Sequence, residues 1–177
     1  MEETKIRNQS FSVRRMVLSG LFAALIAICA WLSVPVADIA FTMQTFALFL
    51  TLGILGGKWG SVSILIYLLM GAVGLPVFSG FQGGLGTLLG VTGGYIWGFL
   101  FSGLTYWLLE KFHRGLAMGT GLAVCYVCGT GWFLLYAGDA GLPFALAKCV
   151  LPYLIPDILK LTLAGSLSKR IGKHLKY

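Results

Sequence analysis

Two charged residues stand where an apolar chain has least use for them. Asp157 and Lys160 lie in the run Leu151-Pro-Tyr-Leu-Ile-Pro-Asp-Ile-Leu-Lys160. In a helix, an i,i+3 spacing puts both on one face. When ionised, the carboxylate only accepts hydrogen bonds and the ammonium only donates them. Together they suit a small polar ligand that presents N–H donors beside a carbonyl or carboxylate. The plain alternative is that the two neutralise one another. Pro152 and Pro156 sit just before the pair. Each removes a backbone donor and frees a carbonyl one turn back. That predicts either a kink that makes room for a ligand or an ordinary helix start.

A second chemical signal is the uncharged, glycine-rich stretch 76–92. Glycine lets a backbone approach a ligand closely and lets a loop turn. Phe78 and Phe81 offer apolar faces there, while Ser79, Gln82 and Thr92 offer hydrogen bonds. Thr42, Gln44 and Thr45 add uncharged polar groups upstream. Apolar walls with a few converging polar groups are the usual form of a small-molecule pocket; the alternative is a loop that only packs. Other chemistries are not encoded. Gly57-Lys58 is followed by Trp59 and has Leu52 where a phosphate loop needs glycine. Gly84-Leu85-Gly86 lacks the third glycine of a dinucleotide fingerprint. His113 and His174 stand beside basic residues, away from the acidic candidates. Cys125-x-x-Cys128 has no further ligand nearby for a zinc site and reads as packing. The expectation is therefore no catalytic residue, no metal, no cofactor and no enzyme activity.

The elements that must position these residues follow from composition. Of 177 residues, 58% are hydrophobic and 11% charged, with a mean hydropathy of +0.88. Soluble domains run near ~25% charged, so the chain reads as an integral membrane protein. Apolar runs fall at about 13–33, 42–56, 61–75, 93–109, 116–137 and 151–167. The first follows Arg14 and Arg15 but is long for a signal peptide, so an uncleaved span is expected. The second and third are short for full spans. Basic residues collect in alternate connections: Lys5 to Arg15, Lys58, Lys111 with Arg114, and Lys169 to Lys176. Asp38 and Asp139 mark the opposite connections, with Lys148 the one base near that side. The positive-inside rule then predicts an all-α, six-transmembrane-helix bundle with both termini cytoplasmic, and a single domain over 1–177. Trp59, Tyr95, Tyr106 and Trp107 are expected near span ends. On the first helix, Gly20 with Ala24 and Ala23 with Ala27 form small faces, which serve packing within the bundle or docking of a membrane partner.

Read in order, Gln44-Thr45-Phe46, Gly56-Gly57-Lys58-Trp59-Gly60, Gly71-Ala-Val-Gly-Leu-Pro-Val-Phe78, Gly83-Gly84-Leu85-Gly86, Thr92-Gly93-Gly94-Tyr95 and Pro156-Asp157-Ile-Leu-Lys160 resemble the BioY family. These are the biotin-specific substrate-capture subunits, or S components, of energy-coupling factor (ECF) transporters. The resemblance covers nearly the whole chain; Val91 departs from it, where the family commonly has proline. It implies an outward-facing biotin pocket in the cell membrane and partners in a transmembrane coupling subunit and two ATPase subunits. No nucleic acid is implied. It also implies roles: Asp157 accepts from a ureido N–H and Lys160 donates to the ureido carbonyl or a nearby acceptor. Gln44, Ser79, Thr92 and Tyr95 add polar contacts, and Phe78 covers the ring system. The reader of the tail carboxylate is left open, with the Gly83 and Gly84 N–H groups as one choice. The small face of the first helix resembles a docking surface. A membrane enzyme would need a nucleophile, base or metal set, and a self-sufficient gradient-driven carrier often shows an internal repeat; neither is visible in the chain.

Overall fold

The computed structural model describes residues 2–36, 39–137 and 141–174. Its elements are α1 (Glu2–Trp31), β1 (Ser33–Val36), β2 (Ile39–Thr42), α2 (Gln44–Ala72), α3 (Leu85–Leu89), α4 (Gly93–Leu109), α5 (Arg114–Ala137), α6 (Leu142–Cys149) and α7 (Leu151–His174). β1 and β2 form an antiparallel ladder with Ser33 opposite Thr42. Asp38 and Asp139, expected in connections, lie outside the described residues.

The glycine pair that ends the second apolar run turns α2 back on itself. Gly56 has φ 77° and ψ 168°, a backbone shape that costs a side-chain-bearing residue strain. Beyond it the helix reverses: a Cβ on Gly60 would lie 3.0 Å from Leu52 Cα, and the Gln44 side chain donates to Tyr67 Oη. In a straight helix residues 44 and 67 would be about 34 Å apart, at 1.5 Å per residue. The tip is tied down because Gly57 N–H donates to Glu110 Oε2 at 2.8 Å, and a Cβ on Gly57 would overlap the Trp107 backbone.

The other helices run between this tip and the opposite end. Ser19 Oγ reaches Trp59 O at 3.5 Å near the tip, while Trp31 Nε1 donates to Pro76 O at 2.8 Å at the far end. α7 starts far from the tip and reaches it at Ser168, whose Cβ would lie 2.6 Å from a Cβ on Gly53. α4 and α5 pack closely through small residues. Ser102 Oγ lies 2.6 Å from Gly121 O, and side chains at Gly94 or Gly129 would overlap Trp132 or Tyr95. Phe22, Ile26, Leu48, Phe49, Leu52 and Ile64 fill the core.

The structure adds several features to the sequence reading. The β1–β2 ladder and α6 were not expected. Of the two readings of the prolines, Pro152 takes the helix start: it is the second residue of α7, where a missing N–H breaks no helical bond. The bend lies just before it, at Val150, where α6 and α7 meet at 43°, and Pro156 lies within the helix. Tyr106, expected at an interface, is fully buried. Val13–Trp31, Gln44–Ala72 and Arg114–Tyr136 are long and apolar enough to cross a membrane, and α6 with α7 makes a fourth as a bent pair.

Candidate ligand pocket

Residues of β2, α2, α4, the middle of α5, α7 and the 76–92 loop line a cavity of about 420 Å³. Asp157 lies in its wall and is buried. Its Oδ1 accepts from Lys160 Nζ at 2.9 Å and from Thr45 Oγ1 at 3.0 Å. Its Oδ2 accepts from Tyr126 Oη at 2.7 Å. A carboxylate has about four lone-pair sites, so one site on Oδ2 is left for a further donor. Lys160 is more fully committed. Besides Asp157 it donates to Thr42 O at 2.6 Å, and its ammonium stands 3.7 Å from the centroid of the Phe41 ring. Four elements therefore converge on one neutral, hydrogen-bonded pair, as a buried ion pair requires, with a single acceptor site on Oδ2 left over.

The helical break and the loop shape the rest. Phe78 is buried because Gly71 has no Cβ: one there would overlap the Phe78 ring. That ring meets Tyr67 edge-on, centroids 5.5 Å apart, and Tyr67 in turn holds Gln44. Tyr95 Oη donates to Cys149 O at 2.7 Å, linking α4 to the end of α6. The loop is pinned by Trp31, whose ring stacks on Phe81 at 5.1 Å. Ile96, Phe99 and Leu122 supply apolar wall.

Of the residues singled out in sequence, Asp157, Lys160, Gln44, Phe78, Ser79, Thr92 and Tyr95 line this one cavity. Gly83 and Gly84 are not among the lining residues. Gly84 N–H is used on Gly71 O at 2.7 Å, and Gly83 is pressed against Leu75 O, where a Cβ would overlap the carbonyl. They shape the loop and leave the wall to others. The small face of α1 divides: Ala23 and Ala27 are buried in the core, whereas Gly20 and Ala24 are exposed. The first pair is thus bundle packing. Sequence reading missed Tyr126, Tyr153, Cys125 and Cys149 in the wall. A tyrosine or cysteine inside an apolar run gives no signal that separates lining from packing.

The pocket geometry can be set beside known proteins. The BioY family model matches residues 3–177. The chain is 37% identical to the biotin transporter BioY of Thermotoga maritima, covering 91% of this chain and 97% of that one. It is 38% identical to a probable biotin transporter BioY of Pyrococcus horikoshii, covering 89% and 96%. A crystal structure of the S component for biotin from an ECF-type ABC transporter superposes with a TM-score of 0.85 over 93% of each chain, at 24% identity. That likeness shows a shared fold, a predominantly helical bundle. With the family model spanning almost every residue, and the motifs that form the pocket in their order, the chain belongs to the BioY family.

Proposed function

We propose that the chain is a membrane-embedded substrate-capture subunit that binds biotin and hands it to an ECF-type transporter module. The observation that carries this is the buried Asp157, neutralised on one side and with one acceptor site left on Oδ2. Biotin's ureido ring has two N–H donors and one carbonyl, and its fused rings are apolar. One ureido N–H meets the open site on Oδ2. Phe78, Phe99, Ile96 and Leu122 supply the apolar enclosure, and Gln44, Ser79, Thr92 and Tyr95 supply neutral polar contacts. Lys160 serves chiefly as the fixed counter-ion, since its donors already meet Asp157 and Thr42. The relatives are transporters by name, which supports a binding and delivery role without catalysis.

In this reading the protein is one integral domain over 1–177 of the cell membrane. The two arms of α2 count as separate passes, giving six, with both termini and the basic residues cytoplasmic and the pocket open outward. The partners are a transmembrane coupling subunit and two ATPase subunits; the exposed Gly20 and Ala24 of α1 fit close helix docking. Calorimetry on the purified protein with biotin, desthiobiotin and lipoate tests the ligand, and tight, selective biotin binding is expected. Absence of that selectivity would sink the biotin assignment. Uptake of labelled biotin should require the ATPase module; equal uptake without it would favour a self-sufficient carrier.

A further inference from the structure

A ligand carboxylate buried in a protein usually meets a cation, and this pocket has almost none to offer. No Lys, Arg or His lies between Arg15 and Lys58, Lys58 and Lys111, Arg114 and Lys148, or Lys148 and Lys160. Lys58, Lys111 and Arg114 belong to the tip end, where Gly57 meets Glu110. Lys160 and Lys148 are left. Lys160 is held by Asp157, Thr42 O and the Phe41 ring. Lys148 does not line the cavity; its ammonium lies 5.1 Å from the centroid of the Phe144 ring. Away from Asp157, the polar lining on the 76–92 loop is neutral: Ser79, Gln82, Thr87 and Thr92. Of the two glycine N–H groups on the loop, that of Gly84 is already bonded to Gly71 O, and neither Gly83 nor Gly84 lines the cavity.

We propose that the pocket reads the far end of its ligand with neutral groups, Ser79, Gln82 and Thr92, and so also accepts ligands whose terminal carboxylate is capped as an amide or ester. The inference rests on the biotin reading above. Hydroxyls and carboxamides both donate and accept, so they pair with an amide as readily as with a carboxylate. The Asp157–Lys160 pair adds no net charge to hold an anion. Removing the tail charge then weakens only hydrogen bonds to a charged acceptor, a loss of about tenfold or less. Removing it from a buried ion pair would cost more than about 100-fold.

The test is displacement of labelled biotin from the purified full chain by biotin and by its primary amide, at low and high salt. The expected result is an amide within about tenfold of the acid and an acid affinity that barely moves with salt. The variant Lys148→Gln is expected to shift acid and amide alike. An amide more than about 100-fold weaker than the acid, or a Lys148→Gln variant that loses the acid selectively, would overturn the inference while leaving the biotin reading intact. If neither acid nor amide binds, the biotin reading falls and the inference falls with it.

Discussion

Asp157 and Lys160 illustrate why a buried pair is best tested by halves. Their side chains are each 7% exposed. Removing one leaves the other charged in a poor dielectric, which typically costs about 3–5 kcal/mol, whereas removing both is often nearly neutral. Lys160→Met should therefore lower stability by about that amount, and Asp157→Asn in the Lys160→Met background should restore most of it. Ligand affinity should stay lost in both, because the acceptor on Oδ2 is gone or disordered. Thermal unfolding in detergent reads the first effect and calorimetry the second; equal stability of the single and double variants would refute it. Tyr126→Phe is gentler. It removes one hydrogen bond to a charged acceptor, worth about 1.5–3 kcal/mol of stability, and should lower the unfolding temperature while changing ligand affinity less than the charge variants do. The pair itself was legible in sequence because charge is conspicuous in an apolar run. Its partners were not. Tyr126, Thr45 and Thr42 lie 31, 112 and 118 positions away, and only the packing of α5, α2 and β2 against α7 brings them in.

At the level of elements, the pocket depends on where backbone comes close. Gly71 faces the Phe78 ring so closely that a methyl group would overlap it. Gly71→Ala must push Phe78 off its edge-on contact with Tyr67, and through Tyr67 disturb Gln44. Overpacking of this kind costs about 1–3 kcal/mol, and here it should also weaken ligand binding. Gly86 is a useful contrast on the same loop: a Cβ there meets nothing, so Gly86→Ala should leave stability and affinity nearly unchanged. A thermal-shift and binding comparison of the two variants checks this, and parity between them would remove the argument. The fold-back of α2 was legible, since Gly56-Gly57 interrupts an otherwise continuous apolar stretch. The β1–β2 ladder and α6 were not, because four-residue strands and an eight-residue helix are too short to establish a period. The prolines offered a kink or a helix start: Pro152 marks the start, in the first turn of α7 where it is harmless, and the bend falls just before it, where Val150 absorbs the angle.

Taken whole, the molecule sorts its charges by end. Ser19 at Trp59, Gly57 at Glu110 and Gly53 at Ser168 bring parts of α1, α2, α4 and α7 to one end. Lys58, Lys111, Arg114, Lys169, Arg170 and Lys173 lie at or next to these segments. Gln44, Phe78, Thr92 and Asp157 collect at the other end, around the cavity. Along the outside of α5 and α7, Val127, Leu135, Ile155 and Leu163 project outward, each at least 60% exposed, an apolar surface that water would not tolerate on a monomer. Basic residues are retained on the cytoplasmic side during insertion, so the basic end should face the cytoplasm and the pocket the exterior. The first arm of α2, 44–55, spans only about 18 Å as a helix, less than the ~30 Å hydrocarbon core, so the membrane must thin or the loop ends must enter the headgroup layer. Labelling with an impermeant maleimide resolves the orientation once Cys29, Cys125, Cys128 and Cys149 are replaced. Leu85→Cys on exposed α3 should react in intact cells. Lys58→Cys at the hairpin tip and Lys173→Cys in the last turn of α7 should react only when the inner face is opened. If Leu85→Cys and Lys58→Cys label from the same side, the two arms of α2 do not act as separate passes and the six-pass arrangement fails. If Lys58→Cys and Lys173→Cys label from opposite sides, the alternation of charge does not set the path of α7.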